Sequence, residues 1–186
     1  MDFESNKNKL QKIVYPFSLK KVERKDLVVL TQLSKESFRQ AYWSPTAAAN
    51  LSEYIEVNLN EQVLDCELQD ERNQFSFLYH ENTLIGYSKL RNGENPPELE
   101  NYRAIELQRL YLLQPYWGQG GGSFLLQELM TQAKEQEYEW MWLLVWFENR
   151  AGIRFYERHG FSYFSKAPFH FGQEVTMDWL MKAPLD

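Results

Sequence analysis

Hydrophobic residues recur with helical spacing in four stretches of this chain. In the first stretch, Leu27, Leu30, Leu33 and Phe38 fall on one side of a helix that Asp26 opens. Polar residues fill the positions between them, so each helix is predicted to bury one stripe and expose the other. The predicted helices cover residues 26–38, 46–70, 122–137 and 149–159.

Seven shorter stretches have the composition or the alternation that is typical of β-strands. Residues 75–79 and 83–90 are separated by a short polar turn, which predicts a hairpin. Residues 140–145 are almost continuously apolar, which indicates a strand that is buried on both faces. The predicted strands cover residues 17–23, 75–79, 83–90, 104–113, 140–145, 161–164 and 176–181.

The order of these elements predicts an α/β (α+β) fold, in which about four helices flank a central mixed sheet of about six or seven strands. The connection from strand 104–113 through helix 122–137 to strand 140–145 should make those two strands parallel neighbours. A chain of 186 residues fits one domain. We predict a flexible arm at residues 1–16 and a single domain at residues 17–186.

Charge and composition narrow the range of partners. The net charge of −6 argues against a nucleic-acid-binding surface and suits a neutral or cationic partner. No apolar run reaches the roughly 18 residues that span a bilayer, and the first residues lack the apolar segment of a signal peptide. We therefore expect a cytoplasmic protein that binds neither nucleic acid nor membrane. The histidines are scattered and Cys66 is alone, so neither a metal site nor an intramolecular disulfide is expected.

Glycine is concentrated between the strand at 104–113 and the helix at 122–137. Gly118, Gly120, Gly121 and Gly122 fall within five positions, an arrangement that is unfavourable in chain entropy. These residues let the backbone approach a ligand closely, and the first turn of the helix supplies unpaired N–H groups and a positive dipole end. The combination predicts an anion site, most often a phosphate site.

Two common nucleotide-binding patterns do not fit this loop. Counted from Gly118, the third glycine of the dinucleotide fingerprint falls on Ser123. The NTPase loop ends in Gly-Lys-Ser/Thr, and here no lysine follows before Lys134. A glycine-rich turn without a ligand is the third interpretation. The helix directly behind the loop and a second motif further along favour a binding site over that interpretation.

Residues 110–126 resemble the acyl-coenzyme A loop of the GNAT superfamily of N-acetyltransferases, whose pattern is Arg/Gln-x-x-Gly-x-Gly/Ala between a strand and a helix. Gly120 and Gly122 fill the two small positions of that pattern. Trp117 stands where Arg or Gln is usual, and Gly121 stands where a packing residue is common. Because backbone N–H groups do most of the cradling of a pyrophosphate, we expect binding to survive both departures.

A second motif makes the resemblance more specific. Residues 149–161 are similar to the family signature Asn-x-x-Ala-x-x-Phe-Tyr-x-x-x-Gly-Phe, with Gly152 where Ala is usual. Asn149, Gly152, Ile153 and Tyr156 share one helix stripe and can therefore face one ligand. The resemblance extends over about residues 18–181, and it implies the GNAT fold, a mostly antiparallel sheet with one splayed parallel pair.

The resemblance also implies roles for individual residues. In GNAT enzymes the pantetheine arm of acetyl-CoA inserts between the splayed strands, and a backbone N–H polarises the thioester carbonyl. Leu110 or Tyr111 is expected nearest to that carbonyl, Asn149 on the pantetheine arm, and Tyr156 as the acid that protonates the departing thiolate. The implied acyl-CoA-binding residues are Leu110, Tyr111, Leu112, Trp117, Gly118, Gln119, Gly120, Gly121, Gly122, Ser123, Asn149 and Gly152.

The acceptor amine must also lose a proton before or during its attack on the thioester. Glu106 is the candidate base, directly or through a water, because it lies on the same strand a few residues before the expected thioester position. The alternative, that Glu106 is a solvated strand carboxylate without a catalytic role, stays open. No metal is needed for this chemistry.

The identity of the acceptor is the least constrained part of the hypothesis. Residues 169–181 resemble the ending of a GNAT branch related to bacterial spermidine/spermine acetyltransferases, which makes a polyamine a candidate acceptor. Acidic residues that could attract a polycation are Glu53, Glu56, Glu61, Glu174 and Asp178. A protein N-terminus, a lysine and an amino-sugar are competing acceptors, and a homodimer is a candidate assembly. A non-catalytic acyl-CoA-binding sensor with the same fold is the alternative function.

Overall fold

The computed structural model describes residues 16–44 and 48–185. Within these ranges the chain forms five α-helices and seven β-strands. The helices are α1 (Leu27–Tyr42), α2 (Ala48–Asn58), α3 (Glu61–Gln69), α4 (Gly121–Glu135) and α5 (Arg150–Arg158). The strands are β1 (Phe17–Lys21), β2 (Asn73–His80), β3 (Thr83–Arg91), β4 (Ala104–Leu112), β5 (Trp140–Val145), β6 (Ser162–Phe171) and β7 (Glu174–Pro184).

The seven strands form one mixed sheet in the order β1-β2-β3-β4-β5-β7-β6. All neighbours are antiparallel except β4 and β5, which run parallel as predicted. This parallel pairing covers three residue pairs, from Ala104 with Trp140 to Glu106 with Trp142. Beyond Glu106, β4 continues along β3 while β5 continues along β7, so a gap opens between the two parallel strands. The predicted fold class, with its splayed parallel pair, is confirmed.

A β-bulge in β4 decides which side chains face each side of the sheet. Lys89 pairs with Arg109 and Leu90 pairs with Leu107, so Gln108 is the extra residue on β4. The alternation of faces shifts by one residue at this point. Ile105, Leu107, Leu110 and Leu112 consequently lie on one face, in or against the main hydrophobic core. Glu106, Gln108, Arg109 and Tyr111 lie on the other face, where they line a cavity.

Helices cover both faces of the sheet. On the first face, Leu125, Leu126 and Leu129 of α4 and Ile153 of α5 pack into the main core. On the second face, α1 and α3 pack against β2 and β3, and α1 and α2 pack together around Phe38. The gap between β4 and β5 therefore lies between two separate helical layers.

The single helix predicted over residues 46–70 is wrong, because the chain breaks between α2 and α3. Asn60 is the N-cap of α3, and its side-chain oxygen accepts a hydrogen bond of 2.9 Å from the N–H of Val63. Leu59, just before the cap, is buried in the core of the second face. The described residues thus contain five α-helices against the predicted four or so.

The last two strands are longer than predicted. Residues 168–174 were expected to separate two short strands, but β6 and β7 form one hairpin that turns at Gly172 and Gln173. Gly172 has a φ of 59°, a left-handed conformation that glycine adopts without strain. Pro168 is tolerated because β6 is an edge strand of the sheet.

The predicted arm at residues 1–16 lies, apart from Pro16, outside the described residues, so the division into arm and domain stays a prediction. In the part of the chain that is described, no helix has the length and apolar character needed to cross a membrane.

Candidate active site

The glycine run forms the entry to α4, directly after β4. Gly118 and Gly120 have φ values of 74° and 88°, in the left-handed region that favours glycine. Gly120 is the N-cap residue of α4, and residues 118–120 are exposed. The first-turn N–H groups of Gly121, Gly122 and Ser123 have no acceptor within the helix. Together with the helix dipole, these groups form a cradle that suits an anion.

Gly121 has a packing role, which explains why no larger residue stands there. A Cβ atom on Gly121 would lie 3.2 Å from a methyl of Leu112 and 3.3 Å from the ring of Phe17. The first turn of α4 therefore packs directly on the sheet, and a side chain at this position would require Leu112 and Phe17 to shift.

Trp117 is 46% exposed, but its indole nitrogen supports the loop. Its indole Nε1–H donates a hydrogen bond of 2.7 Å to the carbonyl oxygen of Leu112, the last residue of β4. The side-chain amide of Gln119 likewise donates to the carbonyl oxygen of Pro115 at 2.6 Å. Both side chains fold back onto the turn that joins β4 to α4. Trp117 thus fixes the shape of the loop by a hydrogen bond, although it cannot offer a charge to a phosphate.

Asn149 caps α5 and explains a second departure from the family pattern. Its Oδ1 accepts a hydrogen bond of 2.9 Å from the N–H of Gly152. A Cβ atom on Gly152 would lie 2.6 Å from the side-chain nitrogen of Asn149, so an alanine there would displace the cap. Among the described residues this side-chain nitrogen has no hydrogen-bond acceptor, and its two protons are available to a ligand.

Tyr156 lies on α5, partly buried against the main hydrophobic core. Its ring packs against those of Phe155 and Phe161, with centroids 5.2 and 5.6 Å away. Burial raises the pKa of the Tyr156 phenol well above its ordinary value, and the nearby phenol of Tyr42 adds to the effect. Tyr156 therefore stays protonated at neutral pH, as a general acid must.

The second face of the sheet holds a cavity of about 630 Å³ beside the gap between β4 and β5. Eight aromatic residues line it: Phe38, Tyr42, Trp43, Tyr54, Tyr111, Trp146, Phe169 and Phe171. The ring of Phe38 stacks on that of Tyr54 at 4.6 Å and also contacts the rings of Tyr42 and Tyr111. The cavity is therefore an aromatic box.

The same cavity is strongly acidic. Five carboxylates line it: Glu67, Glu106, Glu148, Glu174 and Asp178. Arg109 is the one basic side chain that the described residues contribute to the lining, and it is bound bidentately to Glu67 at 2.6 and 3.0 Å. The surplus of negative charge in a box lined with aromatic rings favours a cationic ligand.

This arrangement revises the set of acidic residues that the sequence suggested. Glu174 and Asp178 do line the cavity, whereas three carboxylates of the helical layer do not. Glu56 is paired with Lys35 at 3.4 Å, and Glu53 accepts a hydrogen bond from Gln173. Sequence reasoning missed Glu67 and Glu148, since neither has a local pattern that sets it apart.

A buried ionic cluster lies beneath the cavity. Glu67 of α3 binds Arg109 of β4 and also Lys89 of β3, whose Nζ is 2.7 Å away. Lys89 is only 2% exposed, and burial, with Arg109 beside it, lowers its pKa to about 8. Burial alone would favour a neutral Glu67, but Arg109 and Lys89 together hold its pKa below the usual value. The cluster ties α3 to the sheet and leaves Arg109 no free charge for a ligand.

Glu106 lies where the gap begins. It is the last residue of β4 that pairs with β5, its side chain faces the cavity, and it is 8% exposed. Its Oε2 accepts a hydrogen bond of 2.8 Å from Nε of Arg91. Burial raises the pKa of Glu106 above its usual value, although Arg91 acts in the opposite direction. The carboxylate is thus held in place at the edge of the gap and is not a solvated surface group.

The bulge residue Gln108 adds a group that the sequence did not reveal. Its side-chain oxygen is buried against the cavity and accepts no hydrogen bond from the described residues. A buried acceptor without a donor is unfavourable by about 1–3 kcal/mol, so a donor from a ligand would stabilise it.

Comparison with known proteins identifies the family. The profile of the acetyltransferase (GNAT) family matches residues 35–161, which is more than half of the chain. An uncharacterised N-acetyltransferase from Lactobacillus delbrueckii subsp. lactis is 27% identical over 164 residues, covering 88% of this chain and 95% of that protein. The chain therefore belongs to the acetyltransferase (GNAT) family. The prediction of an N-acetyltransferase is confirmed at this level.

Solved structures agree in fold. PaiA N-acetyltransferase from Thermoplasma acidophilum, in complex with coenzyme A, superposes with a TM-score of 0.72 at 22% identity, covering 90% of this chain and 98% of that chain. A mutant of spermidine N-acetyltransferase SpeG from Vibrio cholerae gives a TM-score of 0.67 at 17% identity, with 91% and 94% covered. In the described part of the chain, no group of three or more His, Cys, Asp or Glu side chains is placed to hold a metal ion.

Proposed function

We propose that this protein transfers the acetyl group of acetyl-CoA to a primary amine that carries further positive charge, with a polyamine as the leading candidate. The observation that carries this proposal is the acidic aromatic cavity, which meets the gap between β4 and β5 at Glu106. The acyl donor and the amine would approach each other from the two faces of the sheet and react in one ternary complex.

The donor side of the site suits acetyl-CoA. The open first turn of α4 and the left-handed Gly118 and Gly120 fit the pyrophosphate of coenzyme A. The free side-chain nitrogen of Asn149 can bind a carbonyl of the pantetheine arm. Backbone groups of β4 from Leu110 to Leu112 border the gap, where one of them would polarise the thioester carbonyl.

In the proposed reaction, one side chain accepts a proton and another donates one. Glu106 takes a proton from the acceptor ammonium, and the neutral amine attacks the thioester carbon. As the tetrahedral intermediate collapses, the C–S bond breaks and Tyr156 donates its proton to the departing thiolate. The nitrogen of the new amide then gives its second proton to the phenolate of Tyr156, which restores the phenol. The amide product and the free thiol of coenzyme A leave the site.

The acceptor class follows from the lining. A polyamine has cationic nitrogens separated by apolar spacers, and the cavity offers carboxylates separated by aromatic rings. A spermidine acetyltransferase is among the structures that share this fold, although at 17% identity the likeness extends to the fold alone. A protein N-terminus, a lysine or an amino-sugar would each have to place its amine in the same acidic box.

The alternative function is a non-catalytic acyl-CoA-binding sensor. The argument for it was that Trp117 and Gly121 depart from the family pattern of the loop. Trp117 holds the Leu112 carbonyl and Gly121 allows α4 to rest on the sheet, so both residues support a formed loop.

Thiol release from acetyl-CoA, measured with a panel of amines, tests the proposal. Polyamines should be acetylated with a higher kcat/KM than N-terminal peptides, lysine peptides or aminoglycosides. Acetyl-CoA should also raise the melting temperature of the protein. Stabilisation by acetyl-CoA without turnover on any amine would establish the sensor instead, and a preference for one of the other amine classes would overturn the acceptor assignment.

A further inference from the structure

We infer that Asp178 forms a subsite for a second cationic group of the acceptor, separate from the amine that is acetylated. This inference rests on the proposed function, which supplies the reacting amine near Glu106. It makes Asp178 a specificity-determining residue: a matched monoamine would fill the aromatic box but leave this subsite without a cation.

Asp178 is a buried carboxylate without a counterion. It is 4% exposed and faces the cavity from β7. Its Oδ1 accepts a hydrogen bond of 2.8 Å from the hydroxyl of Thr176, which is a neutral donor. Among the described residues, no lysine, arginine or histidine lies within salt-bridge distance of it. An ionised carboxylate is rarely buried without a cation, because desolvation is so unfavourable.

The other carboxylates of the lining differ from Asp178 in this respect. Glu67 is neutralised by Lys89 and Arg109, and Glu106 is held by Arg91. Glu148 and Glu174 are exposed, so water solvates both of them. Asp178 therefore combines burial with the lack of a cation, and burial raises the pKa of its carboxyl group. A ligand ammonium would remove this imbalance.

Gln108 supplies an independent observation. Its side-chain oxygen is buried against the same cavity and receives no hydrogen bond from the described residues. An ammonium group has three N–H donors and no acceptor, so it can satisfy acceptors such as this amide oxygen and a carboxylate. The lining thus holds an amide oxygen without a donor and a carboxylate without a cation, which points to a donor-only ligand.

The register of the sheet separates this subsite from Glu106. Glu106 pairs with Trp142, and Trp142 pairs with Lys182, so these residues form one row across the sheet. Asp178 lies four residues from Lys182 along β7, which is about 13 Å at the usual rise of a strand. The rings of Tyr42, Phe169 and Phe171 line the same cavity. One elongated acceptor can therefore place an amine at Glu106, a spacer on the rings and a cation at Asp178.

A pair of amines of equal length tests this inference. The wild-type protein should acetylate 1,8-diaminooctane with a kcat/KM at least tenfold higher than 1-aminooctane, because only the diamine carries the second cation. Asp178→Asn should abolish most of that preference: it should lower kcat/KM for the diamine about tenfold and change the value for the monoamine less than about threefold. Glu61→Gln, which removes an exposed carboxylate outside the cavity, should keep the preference.

Two binding measurements distinguish a failure of the Asp178 subsite from a failure of the proposed function. Stabilisation of Asp178→Asn by acetyl-CoA shows that the variant is folded. Stabilisation of the wild-type protein by 1,8-diaminooctane, and its loss in Asp178→Asn, supports the subsite apart from turnover. If the wild-type protein prefers the diamine and Asp178→Asn keeps that preference, the subsite is refuted and the proposed function stands. If no amine binds or reacts, both are refuted.

Discussion

The two faces of the sheet build their parts of the site in different ways. On the face of α4 and α5, the proposed donor site is made largely of backbone from two local segments, residues 117–123 and 149–156. On the face of α1 and α2, the proposed acceptor cavity is made of side chains from α1, α2, α3, β4, β5, β6 and β7. The first site is formed by local conformation, and the second exists only once the whole chain has folded.

This difference distinguishes the part of the site that would bind any acyl-CoA donor from the part that would select the acceptor. Under the proposed function, a backbone cradle would suit any acyl-CoA, because it would bind the phosphates and the pantetheine arm that all such donors share. Side chains such as Asp178 would bear on the choice of acceptor. Substitutions on the first face should therefore affect all acceptors alike, whereas substitutions on the second should change the preference among them.

The largest expected effect is that of removing the Tyr156 hydroxyl, on the face of α4 and α5. Tyr156→Phe keeps the ring that packs on Phe155 and Phe161 but removes the proton donor. The kcat should fall about 100-fold for every amine, while the Kd of acetyl-CoA changes less than about twofold. Thiol release and calorimetry measure the two quantities. Tyr163→Phe, on the exposed side of β6, is the control, and an unchanged kcat would remove Tyr156 from the mechanism.

The next effect concerns Glu106 and depends on pH. Glu106 must be ionised to accept a proton, and burial raises its pKa, so kcat/KM should rise with pH through that raised pKa and then level off. Glu106→Gln should lower the plateau about 30-fold and abolish this limb. Arg91→Gln should move the limb to higher pH, since Arg91 opposes the rise in pKa. A pH profile that is the same in all three proteins would leave Glu106 with a structural role only.

Two glycines with nearly the same backbone conformation test whether the loop before α4 is a phosphate cradle. Gly120 and Gly160 have φ values of 88° and 85°, and neither has an atom closer than 4.0 Å to an added Cβ. Alanine at either position should therefore destabilise the fold equally, by about 1–2 kcal/mol. Only Gly120→Ala should weaken acetyl-CoA binding, by about tenfold, because Gly160 ends α5 away from the cradle. Equal Kd values in the two variants would contradict the assignment of the loop as a phosphate cradle.

The smallest effect is expected at Trp117. Trp117→Phe removes the indole hydrogen bond to the carbonyl of Leu112 and should cost about 1 kcal/mol of stability. If the loop loses its shape, the Kd of acetyl-CoA should also rise about threefold, equally for reactions with mono- and diamines. Chemical denaturation and calorimetry test both parts. A change in acceptor preference would place Trp117 with the acceptor side and break the division between the two faces.

The sequence predicted the first face well because its signals are local. The loop at Gly118–Gly122 follows a strand and opens a helix, and the spacing of Asn149 and Tyr156 indicates one helix stripe. Their catalytic and binding roles, like the cytoplasmic location and the homodimer, stay predictions. The structure nevertheless gives physical reasons for Gly121, Gly152 and Trp117, which looked like departures when only the sequence was considered.

The second face could not be predicted in the same way. Glu67, Lys89 and Arg109 come together although more than 20 residues separate Glu67 from Lys89 in the sequence, and the bulge at Gln108 depends on the pairing of β4 with β3. Asp178 shares its cavity with Tyr42 only because the β6–β7 hairpin continues past Pro168. Contacts between distant segments leave no periodic signal in a single sequence.

The short parallel pairing of β4 with β5 has a consequence for the cooperativity of folding. The strands β1 to β4 and the strands β5 to β7 are joined within the sheet by three residue pairs, so backbone hydrogen bonding between these two halves is sparse. An acyl-CoA arm that fills the gap would bond to both edges and link the halves. Acetyl-CoA would then act as a stabilising ligand whose concentration sets the free energy of unfolding. Amide hydrogen exchange along residues 107–112 and 143–145 should slow as that concentration rises, because separation of the half-sheets would require the donor to leave.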